Sequence, residues 1–243
     1  MSNNKHTDTL FAAPLEPAPF EFNAQVADVF DNMIQRSVPG YAFLLEVISV
    51  LAQRYGQADS QCYDLGCSLG TTTLRLRQNL PASCHVIGVD NSAAMVGRCQ
   101  HNMARDNSQA SYEICQQDIQ DAKIRNASIV ILNFTLQFIE DQQRQSILSN
   151  IYDGMKPGGV LLLAEKICFN SPQQQALQTD LYHDFKRCQG YSDLEVAQKR
   201  AALENVLVPN TLQQHYQRLE QAGFKQIEVC MQCFNFCALL AFK

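Results

Sequence analysis

Residues 62–70 decide the fold, and they read CYDLGCSLG. An apolar strand ends near the carboxylate of Asp64, and the small residues after it let the chain turn sharply and bring its backbone close to a ligand before a helix begins. In open α/β sheets, ligands bind at such turns, beyond the carboxyl ends of the strands. The stretch therefore predicts a binding turn for a nucleotide-like ligand, with a purely structural tight turn as the alternative.

The same turn also fits a motif from a different class of protein. Residues 66–70 have the spacing G-x-S-x-G, which is the nucleophile elbow of α/β-hydrolases and would make Ser68 a nucleophile. His183 and His215 follow in the order that this class requires, but its oxyanion loop must come after an earlier strand. Because nothing before residue 61 is typical of a strand, the hydrolase interpretation is the weaker one.

Short β-rich runs alternate with helical stretches after residue 60. The runs lie at 61–65, 85–90, 111–115, 128–134 and 160–167, and candidate helices lie near 70–79, 92–105 and 141–155. This alternation predicts a parallel sheet with crossover helices. Two final runs, 225–232 and 234–242, are too close together for anything but an antiparallel hairpin. We therefore expect an α/β protein with a Rossmann-like, seven-stranded sheet of the methyltransferase type and helices on both faces.

Three segments lie outside this alternating pattern. Three prolines predict an extended N-terminal arm over 1–23, and apolar residues at helical spacing predict two leading helices over 24–56. The segment before the final hairpin is about twice as long as one crossover needs. We therefore expect 168–210 to hold extra helices, broken at 190–192, that form a lid over the ligand face and part of a dimer interface. A single domain over 1–243 is expected from this length.

The composition excludes several classes of protein. The chain has 243 residues, of which 46% are hydrophobic and 18% are charged, so it is unlike a disordered protein. No apolar run approaches the roughly 18 to 20 residues of a membrane-spanning helix. The formal charge is −5 and no long basic run is present, so we expect no direct binding of nucleic acid. The first eleven residues do not resemble a signal peptide, which favours a cytoplasmic location.

Ten cysteines are scattered along the chain, mostly in apolar segments. Such scattering in a chain of this length is typical of reduced thiols rather than of a disulfide scaffold. Cys230, Cys233 and Cys237 suggest a metal site, but a closed zinc site usually takes four ligands. Because these three lie in the predicted hairpin, we interpret them as buried thiols and expect no metal site.

Polar residues follow three of the predicted strands at the edge where a ligand is expected. Asp90 ends the second strand, 20 positions past Gly70, where a carboxylate can accept hydrogen bonds from both ribose hydroxyls; capping of the next helix is the alternative. Asp118 and Ile119 follow the third strand, where methyltransferases hold the adenine with a polar side chain and an adjacent apolar one; a turn aspartate is the alternative for Asp118. Asn133 ends the fourth strand without the prolines that follow in amino-group methyltransferases, so methylation of an exocyclic amine is not supported.

Five phrases of the sequence resemble one family over nearly the whole chain. They are MIQRSVPGY at 33–41, YDLGCSLG at 63–70, NFTLQF at 133–138, HDFKR at 183–187 and QKR at 198–200. These phrases are similar to those of the carboxy-S-adenosyl-L-methionine synthase family. Ser68, which stands where many methyltransferases have a glycine, is this family's own form of the turn.

The resemblance implies an unusual reaction. S-adenosyl-L-methionine and prephenate would give carboxy-S-adenosyl-L-methionine, phenylpyruvate and water, so that the methyl group is carboxylated and not transferred. A partner enzyme, a tRNA carboxymethyltransferase, would use the product to modify the wobble uridine of tRNA. An ordinary small-molecule methyltransferase and a non-catalytic nucleoside-binding regulator are the alternatives.

The resemblance also implies a set of site residues. The ligand contacts fall on Tyr41, Gly66, Cys67, Ser68, Asp90, Asn91, Asp118, Ile119, Asn133 and Arg200. Tyr41 and Arg200 are the implied catalytic residues, and Arg200 would come from the neighbouring subunit of a homodimer. A guanidinium forks onto a carboxylate and can hold the developing charge of carbon dioxide; a solvated helix arginine is the alternative for Arg200.

Overall fold

The computed structural model describes residues 7–14, 16, 18–204 and 206–243, so part of the predicted arm lies outside the described residues. Its helices are α1 (Ala24–Ser37), α2 (Tyr41–Tyr55), α3 (Thr71–Asn79), α4 (Ala93–Ala104), α5 (Asp141–Gly154), α6 (Pro172–Cys188), α7 (Asp193–Leu203) and α8 (Leu212–Ala222). Its strands are β1 (Gln61–Leu65), β2 (His85–Asp90), β3 (Ser111–Gln116), β4 (Ala127–Asn133), β5 (Met155–Cys168), β6 (Asn210–Thr211), β7 (Gln226–Cys233) and β8 (Phe236–Phe242). Two short 3₁₀ turns, Ile119–Asp121 and Leu136–Phe138, follow β3 and β4.

The main sheet has the strand order β3-β2-β1-β4-β5-β8-β7. The first five strands are parallel, and β8 is antiparallel to both β5 and β7, so the predicted methyltransferase-type sheet with its C-terminal hairpin is confirmed. Because β1 pairs with β2 on one side and with β4 on the other, the strand order reverses at this point. The loops after β1 and β4 therefore leave a crevice where α/β sheets bind ligands.

Some boundaries in the sheet differ from the predictions. β5 begins at Met155, because this residue pairs with Ala127 before the chain bulges out and regular pairing resumes at Val160. The residues between the predicted helix, near 141–155, and the predicted strand, 160–167, thus form a bulge within one long strand. Residues 234–235 form the hairpin turn, since two residues suffice to reverse the chain between paired strands. The two-residue strand β6, which pairs with the end of β5, is too short to give a periodic signal.

Helices cover both faces of the sheet, as predicted. Because side chains alternate along a strand, Ile129 and Ile131 of β4 pack against α2, whereas Val130 and Leu132 pack against α5 and α8. All four side chains are fully buried, and burial of each contributes roughly 1.5 to 3 kcal/mol. The packed sheet is therefore a rigid platform, and its carboxyl edge carries the site.

The inserted segment contains two helices, α6 and α7, and their predicted break is confirmed. Gly190 adopts a φ of +86° just after α6, and the capping box of Ser192 and Glu195 begins α7. The described part of the N-terminal arm contacts α7, where the Phe20 amide N–H donates to the Ala202 carbonyl oxygen at 3.0 Å. The arm and the insertion are therefore joined beside the carboxyl edge of the sheet.

Candidate active site

A cavity of about 390 Å³ lies beyond the carboxyl ends of the parallel strands. Its walls come from the N-terminal arm, the leading helices, the turns after β1, β2, β3 and β4, the end of β5 and the inserted helices. Of the predicted site residues it brings together Tyr41, Gly66, Cys67, Ser68, Asp90, Asn91, Asp118, Ile119 and Asn133. Arg200 does not line it.

The turn after β1 depends on glycine. Gly66 and Gly70 have φ angles of +86° and +84°, and a Cβ atom on Gly66 would lie 2.3 Å from Thr135 Oγ1. The amide N–H groups of Gly66 and Cys67 both donate to the Val89 carbonyl oxygen, at 2.7 and 2.9 Å. The backbone at this position can therefore approach a ligand closely, and a side chain on residue 66 would not fit.

Asp90 fixes the middle of the same turn. Ser68 has a φ of +48°, in the left-handed region that favours glycine, and its amide N–H donates to Asp90 Oδ2 at 2.9 Å. The Ser92 amide N–H donates to Asp90 Oδ1 at 2.9 Å, while the Ser92 side chain caps α4. Burial raises the pKa of Asp90. Each carboxylate oxygen keeps a lone pair that can accept a hydrogen bond from a ribose hydroxyl. Asp90 can therefore stabilise the start of α4 and bind a ribose at the same time.

Three more predicted residues lie beside Asp90, and together they form what we call the nucleoside end of the cavity. Asn91 Nδ2 donates to Asp118 Oδ1 at 2.8 Å, which joins the turns after β2 and β3. Ile119 is buried and lines the cavity next to Asp118. A polar and an apolar side chain in this arrangement suit an adenine, and their contact with a ligand stays a prediction.

Asn133 and Tyr41 also line the cavity. Asn133 Nδ2 donates to Thr72 Oγ1 at 3.0 Å, but its buried Oδ1 has no hydrogen-bond partner among the described residues. Burial, and to a smaller extent the charges of Asp31 and Asp64, raise the pKa of Tyr41, so its hydroxyl stays protonated. A buried acceptor without a partner is unfavourable, and a ligand that donates a hydrogen bond would satisfy Asn133.

Basic and aromatic side chains line the other end of the cavity, and the sequence analysis did not predict them. Lys166 on β5 and Asp90 on β2 are three strands apart, which corresponds to roughly 14 Å. Tyr182 on α6 and Lys199 on α7 line the cavity with Lys166, and we call these three residues the lysine end. Two features of the sequence could have indicated this end: Lys166 follows the core of the fifth strand, and Lys199 adjoins the predicted site residue Arg200.

Lys199 belongs to a hydrogen-bond network that links the arm to the insertion. Its Nζ donates to Ser37 Oγ at 2.9 Å and lies 3.7 Å from Asp8 Oδ2. The Tyr191 hydroxyl donates to the same carboxylate oxygen at 2.5 Å. Burial lowers the pKa of Lys199 to about 8. The buried Asp8 carboxylate therefore compensates this lysine.

The structure does not bring Arg200 to the cavity of its own chain. Arg200 is exposed on α7 and lines a separate depression with His183, Arg187 and Glu204. Consecutive residues of a helix point in different directions, so the inward position of Lys199 turns Arg200 outward. The predicted role of Arg200 needs a neighbouring subunit, and it stays a prediction.

The hydrolase interpretation finds no support in the structure. Ser68 Oγ donates to Met95 Sδ at 3.4 Å. His183 lies in the depression beside Arg200, and His215 is buried in α8, where neither ring nitrogen has a hydrogen-bond partner among the described residues. No described histidine therefore activates Ser68 as a base.

The described residues hold neither a metal-binding cluster nor a membrane-spanning helix. Within residues 7–14, 16, 18–204 and 206–243, no group of three or more His, Cys, Asp or Glu side chains could hold a metal ion. No helix in these ranges is both long and apolar enough to cross a membrane. All ten cysteines are free thiols.

Solved structures similar to this chain include several methyltransferases. One is a putative S-adenosyl-L-methionine-dependent methyltransferase from Methanococcus maripaludis, with a TM-score of 0.61 and 19% identity over 95% of this chain and 97% of that chain. Another is human N-acetylserotonin methyltransferase, with a TM-score of 0.61 and 18% identity over 90% of this chain and 55% of that chain. A family model described as a methyltransferase domain matches residues 63–159. The chain therefore has the fold of the methyltransferase class.

Curated relatives are more similar in sequence. The chain is 51% identical to the carboxy-S-adenosyl-L-methionine synthase of Marinobacter nauticus, over 98% of this chain and 95% of that protein. It is 56% identical to the carboxy-S-adenosyl-L-methionine synthase of Hahella chejuensis, over 92% of this chain and 93% of that protein. The chain therefore belongs to the carboxy-S-adenosyl-L-methionine synthase family and is an enzyme. The resemblance found in the sequence is confirmed.

Proposed function

We propose that this chain converts S-adenosyl-L-methionine and prephenate into carboxy-S-adenosyl-L-methionine, phenylpyruvate and water. Membership of the family gives S-adenosyl-L-methionine as the substrate and carboxy-S-adenosyl-L-methionine as the product. The proposal adds that prephenate is the carboxyl donor. The observation that carries the proposal is the polarity of one cavity. Asp90 at one end suits a nucleoside, and Lys166 and Lys199 at the other end suit the carboxylates of an acid.

The nucleoside end fits S-adenosyl-L-methionine. Gly66 lets the backbone approach the ligand, and Asp90 offers a lone pair on each oxygen to the ribose hydroxyls. Ile119 offers an apolar surface to the adenine. Asn133 Oδ1 can accept a hydrogen bond from the ligand, and Tyr41 adds a protonated hydroxyl to the wall of the cavity.

The proposed reaction balances without a further co-reactant. The carboxyl group on the prephenate ring leaves as carbon dioxide, the electrons of the broken bond make the ring aromatic, and the ring loses hydroxide. The methyl group of the other substrate loses a proton, which joins the hydroxide as water, and its carbon forms a bond to carbon dioxide. The protein would contribute by holding both substrates in one cavity, whose walls include residues of the arm and of the insertion.

Arg200 acts across a homodimer in this proposal. Arg200 of the partner subunit would enter the cavity, where its guanidinium would bind the new carboxylate through two parallel hydrogen bonds. The exposed position of Arg200 on α7, outside the cavity of its own chain, supports this arrangement. The apolar side chains of Leu177 and Leu181 on α6 and Leu194 on α7 are also exposed and would suit an interface.

The product would pass to a tRNA carboxymethyltransferase, which modifies the wobble uridine. This division of labour needs no contact between the present chain and tRNA, and the formal charge of −5 supports it. Strong, salt-sensitive binding of tRNA would contradict it. The ten free thiols support a reducing compartment, the cytoplasm, as the place of the reaction.

Incubation of the purified protein with S-adenosyl-L-methionine and prephenate tests the reaction. We expect mass spectrometry to find a nucleoside product heavier by one carbon dioxide, together with an equal amount of phenylpyruvate. A reaction without prephenate is the control and should leave the substrate unchanged. Accumulation of S-adenosylhomocysteine with an acceptor would identify an ordinary methyltransferase, and ligand retention without turnover would identify a regulatory binding protein.

Mixed dimers test the role of Arg200. Arg200→Ala should bind S-adenosyl-L-methionine with native affinity but form no carboxylated product. Asp90→Asn should bind it about 10- to 100-fold more weakly, because hydrogen bonds to a charged group contribute roughly 1.5 to 3 kcal/mol. Co-expression of both variants should restore activity, since one cavity of a mixed dimer has the native residue at both positions. Native activity of Arg200→Ala alone, or no recovery in the mixture, would contradict this role.

A further inference from the structure

Two ammonium groups flank the ring of Tyr182 at the lysine end of the cavity. Lys166 Nζ lies 5.1 Å and Lys186 Nζ lies 4.9 Å from the ring centroid, which is within the range of cation–π interactions. The ring also packs against Phe236, with the two centroids 5.0 Å apart. Lys166, Tyr182 and Phe236 line the cavity, whereas Lys186, which is 4% exposed, contacts the ring without lining the cavity.

The charges at this end are not balanced within the described part of the chain. Asp8 is paired with Lys199, at 3.7 Å. The side chains of Lys166 and Lys186 make no hydrogen bond or ion pair with a described residue. Glu165 accepts hydrogen bonds from two backbone amides that follow β4, and it does not line the cavity. Because an unpaired buried cation is unfavourable, the site is suited to an anionic ligand.

The pKa shifts of Lys186 and Lys166 also favour an anionic ligand at this site. Burial, and then the charges of Lys199 and Lys166, lower the pKa of Lys186 to about 7. Burial, and then the charge of Arg200, lower the pKa of Lys166. A carboxylate close to these ammonium groups would favour their charged forms and so would be bound by them.

Lys166 lies near the position where the reaction is proposed to occur. Asn133 at the end of β4 pairs with Ala164 of β5, and Lys166 is two residues further along the same face, about 7 Å beyond. The rings of Phe134 and Phe236, with centroids 5.7 Å apart, add an apolar wall. A ligand beside Asn133 can therefore place a ring against aromatic side chains and a negative charge on Lys166.

We propose that Lys166 binds the second substrate through the carboxylate which that substrate retains, with the Tyr182 ring as the adjoining wall. This inference rests on the proposed function, in which one carboxylate leaves as carbon dioxide. A cation on the leaving carboxylate would stabilise the ground state and oppose that loss, whereas a cation on the retained carboxylate binds equally before and during the reaction. Prephenate, a cyclic acid with two carboxylates, meets this requirement, because it keeps one carboxylate after the other has left.

Lys166→Met tests the assignment through a split between KM and kcat. We expect KM for prephenate to rise about 10- to 100-fold, the amount by which a hydrogen bond to a charged group changes binding, with kcat and the affinity for S-adenosyl-L-methionine close to native. Lys166→Arg keeps the charge and should recover most of the native KM. Lys225→Met removes an exposed lysine outside the cavity and is the matched control.

Each other result would overturn the assignment. These results are an unchanged KM, a loss confined to kcat, and weaker binding of S-adenosyl-L-methionine. If Lys166→Met does not fold, inhibition of the native enzyme replaces it: phenylpyruvate should compete with prephenate, and its neutral methyl ester should not. Equal inhibition by both compounds would also overturn the assignment. A native enzyme that makes no carboxylated product from prephenate would instead refute the proposed function, so the two failures are distinguishable.

Discussion

The two ends of the cavity are held together by different interactions. At the nucleoside end, Asp90 accepts hydrogen bonds from two backbone amides, and Asn91 donates to Asp118. At the lysine end, Lys166 and the neighbouring Lys186 lie against the Tyr182 ring, and their ammonium groups make no hydrogen bond or ion pair with a described residue. The first end is therefore preorganised by the chain itself, whereas the second, in our proposal, would receive its balancing charge from the second substrate.

This comparison predicts that changes of backbone geometry damage the nucleoside end most. Gly66→Ala should have the largest effect, because residue 66 has a φ of +86° and its new Cβ would lie 2.3 Å from Thr135 Oγ1. The left-handed backbone and the overpacking together cost roughly 2 to 5 kcal/mol. We expect urea denaturation to show this loss in the free energy of unfolding, and calorimetry to show the loss of S-adenosyl-L-methionine binding.

Gly97→Ala is the matched control for that substitution. Gly97 lies in α4, and a Cβ atom there would meet nothing within 4 Å. The free energy of unfolding should stay the same or rise by up to about 1 kcal/mol, because alanine favours a helix more than glycine does. An equal loss in both variants, or native binding by Gly66→Ala, would show that the turn does not depend on glycine.

The nucleoside end could be predicted from the sequence because its signals are local. The turn at 66–70 and the strand-ending Asp90 lie within one strand–helix–strand unit, and the spacing between them reflects a recurring geometry. Asn133 follows from the same reasoning, since all parallel strands end at one edge. The structure adds that Ser68 keeps the left-handed backbone of a glycine while Asp90 holds its amide.

The lysine end could not be predicted in the same way, because distant segments build it. Lys166, Tyr182 and Lys199 come from β5, α6 and α7, and Asp8, which pairs with Lys199, comes from the arm. Lysine is usually exposed, so a lysine within a helix gives no sign that it faces a cavity. Arg200 shows the same limit, since its neighbour Lys199 takes the inward direction and only a second chain could give it the predicted role.

Most of the fold followed from periodicity, and the exceptions depend on long-range pairing. The alternation of strands and helices predicted the parallel sheet, the hairpin and the break between α6 and α7. The early start of β5 depends on the pairing of Met155 with Ala127, and β6 depends on the pairing of Asn210 with Ile167. Contacts of this kind leave no local pattern in the sequence.

Lys186, beside the lysine end, should also make the stability of the protein depend on pH, and this is the smallest of the predicted effects. Lys186 faces Lys166, Lys199, Asp8 and the Tyr182 ring, and its pKa falls from 10.5 to about 7 in the folded chain. Between these two values the unfolded chain binds the proton more strongly than the folded chain does. The free energy of unfolding of the free protein should therefore rise with pH above about 7, by at most about 1.4 kcal/mol per pH unit from this group.

Lys186→Met isolates this contribution, because methionine is flexible and apolar and can occupy the buried site without a charge. We expect urea denaturation between pH 7 and pH 9 to give a smaller increase of the free energy of unfolding for Lys186→Met than for the native chain. Lys225→Met, which removes an exposed lysine, should keep the native increase. Equal increases in the native chain and in Lys186→Met would mean that Lys186 stays charged without a ligand, and the contrast between the two ends would then not rest on unbalanced charge.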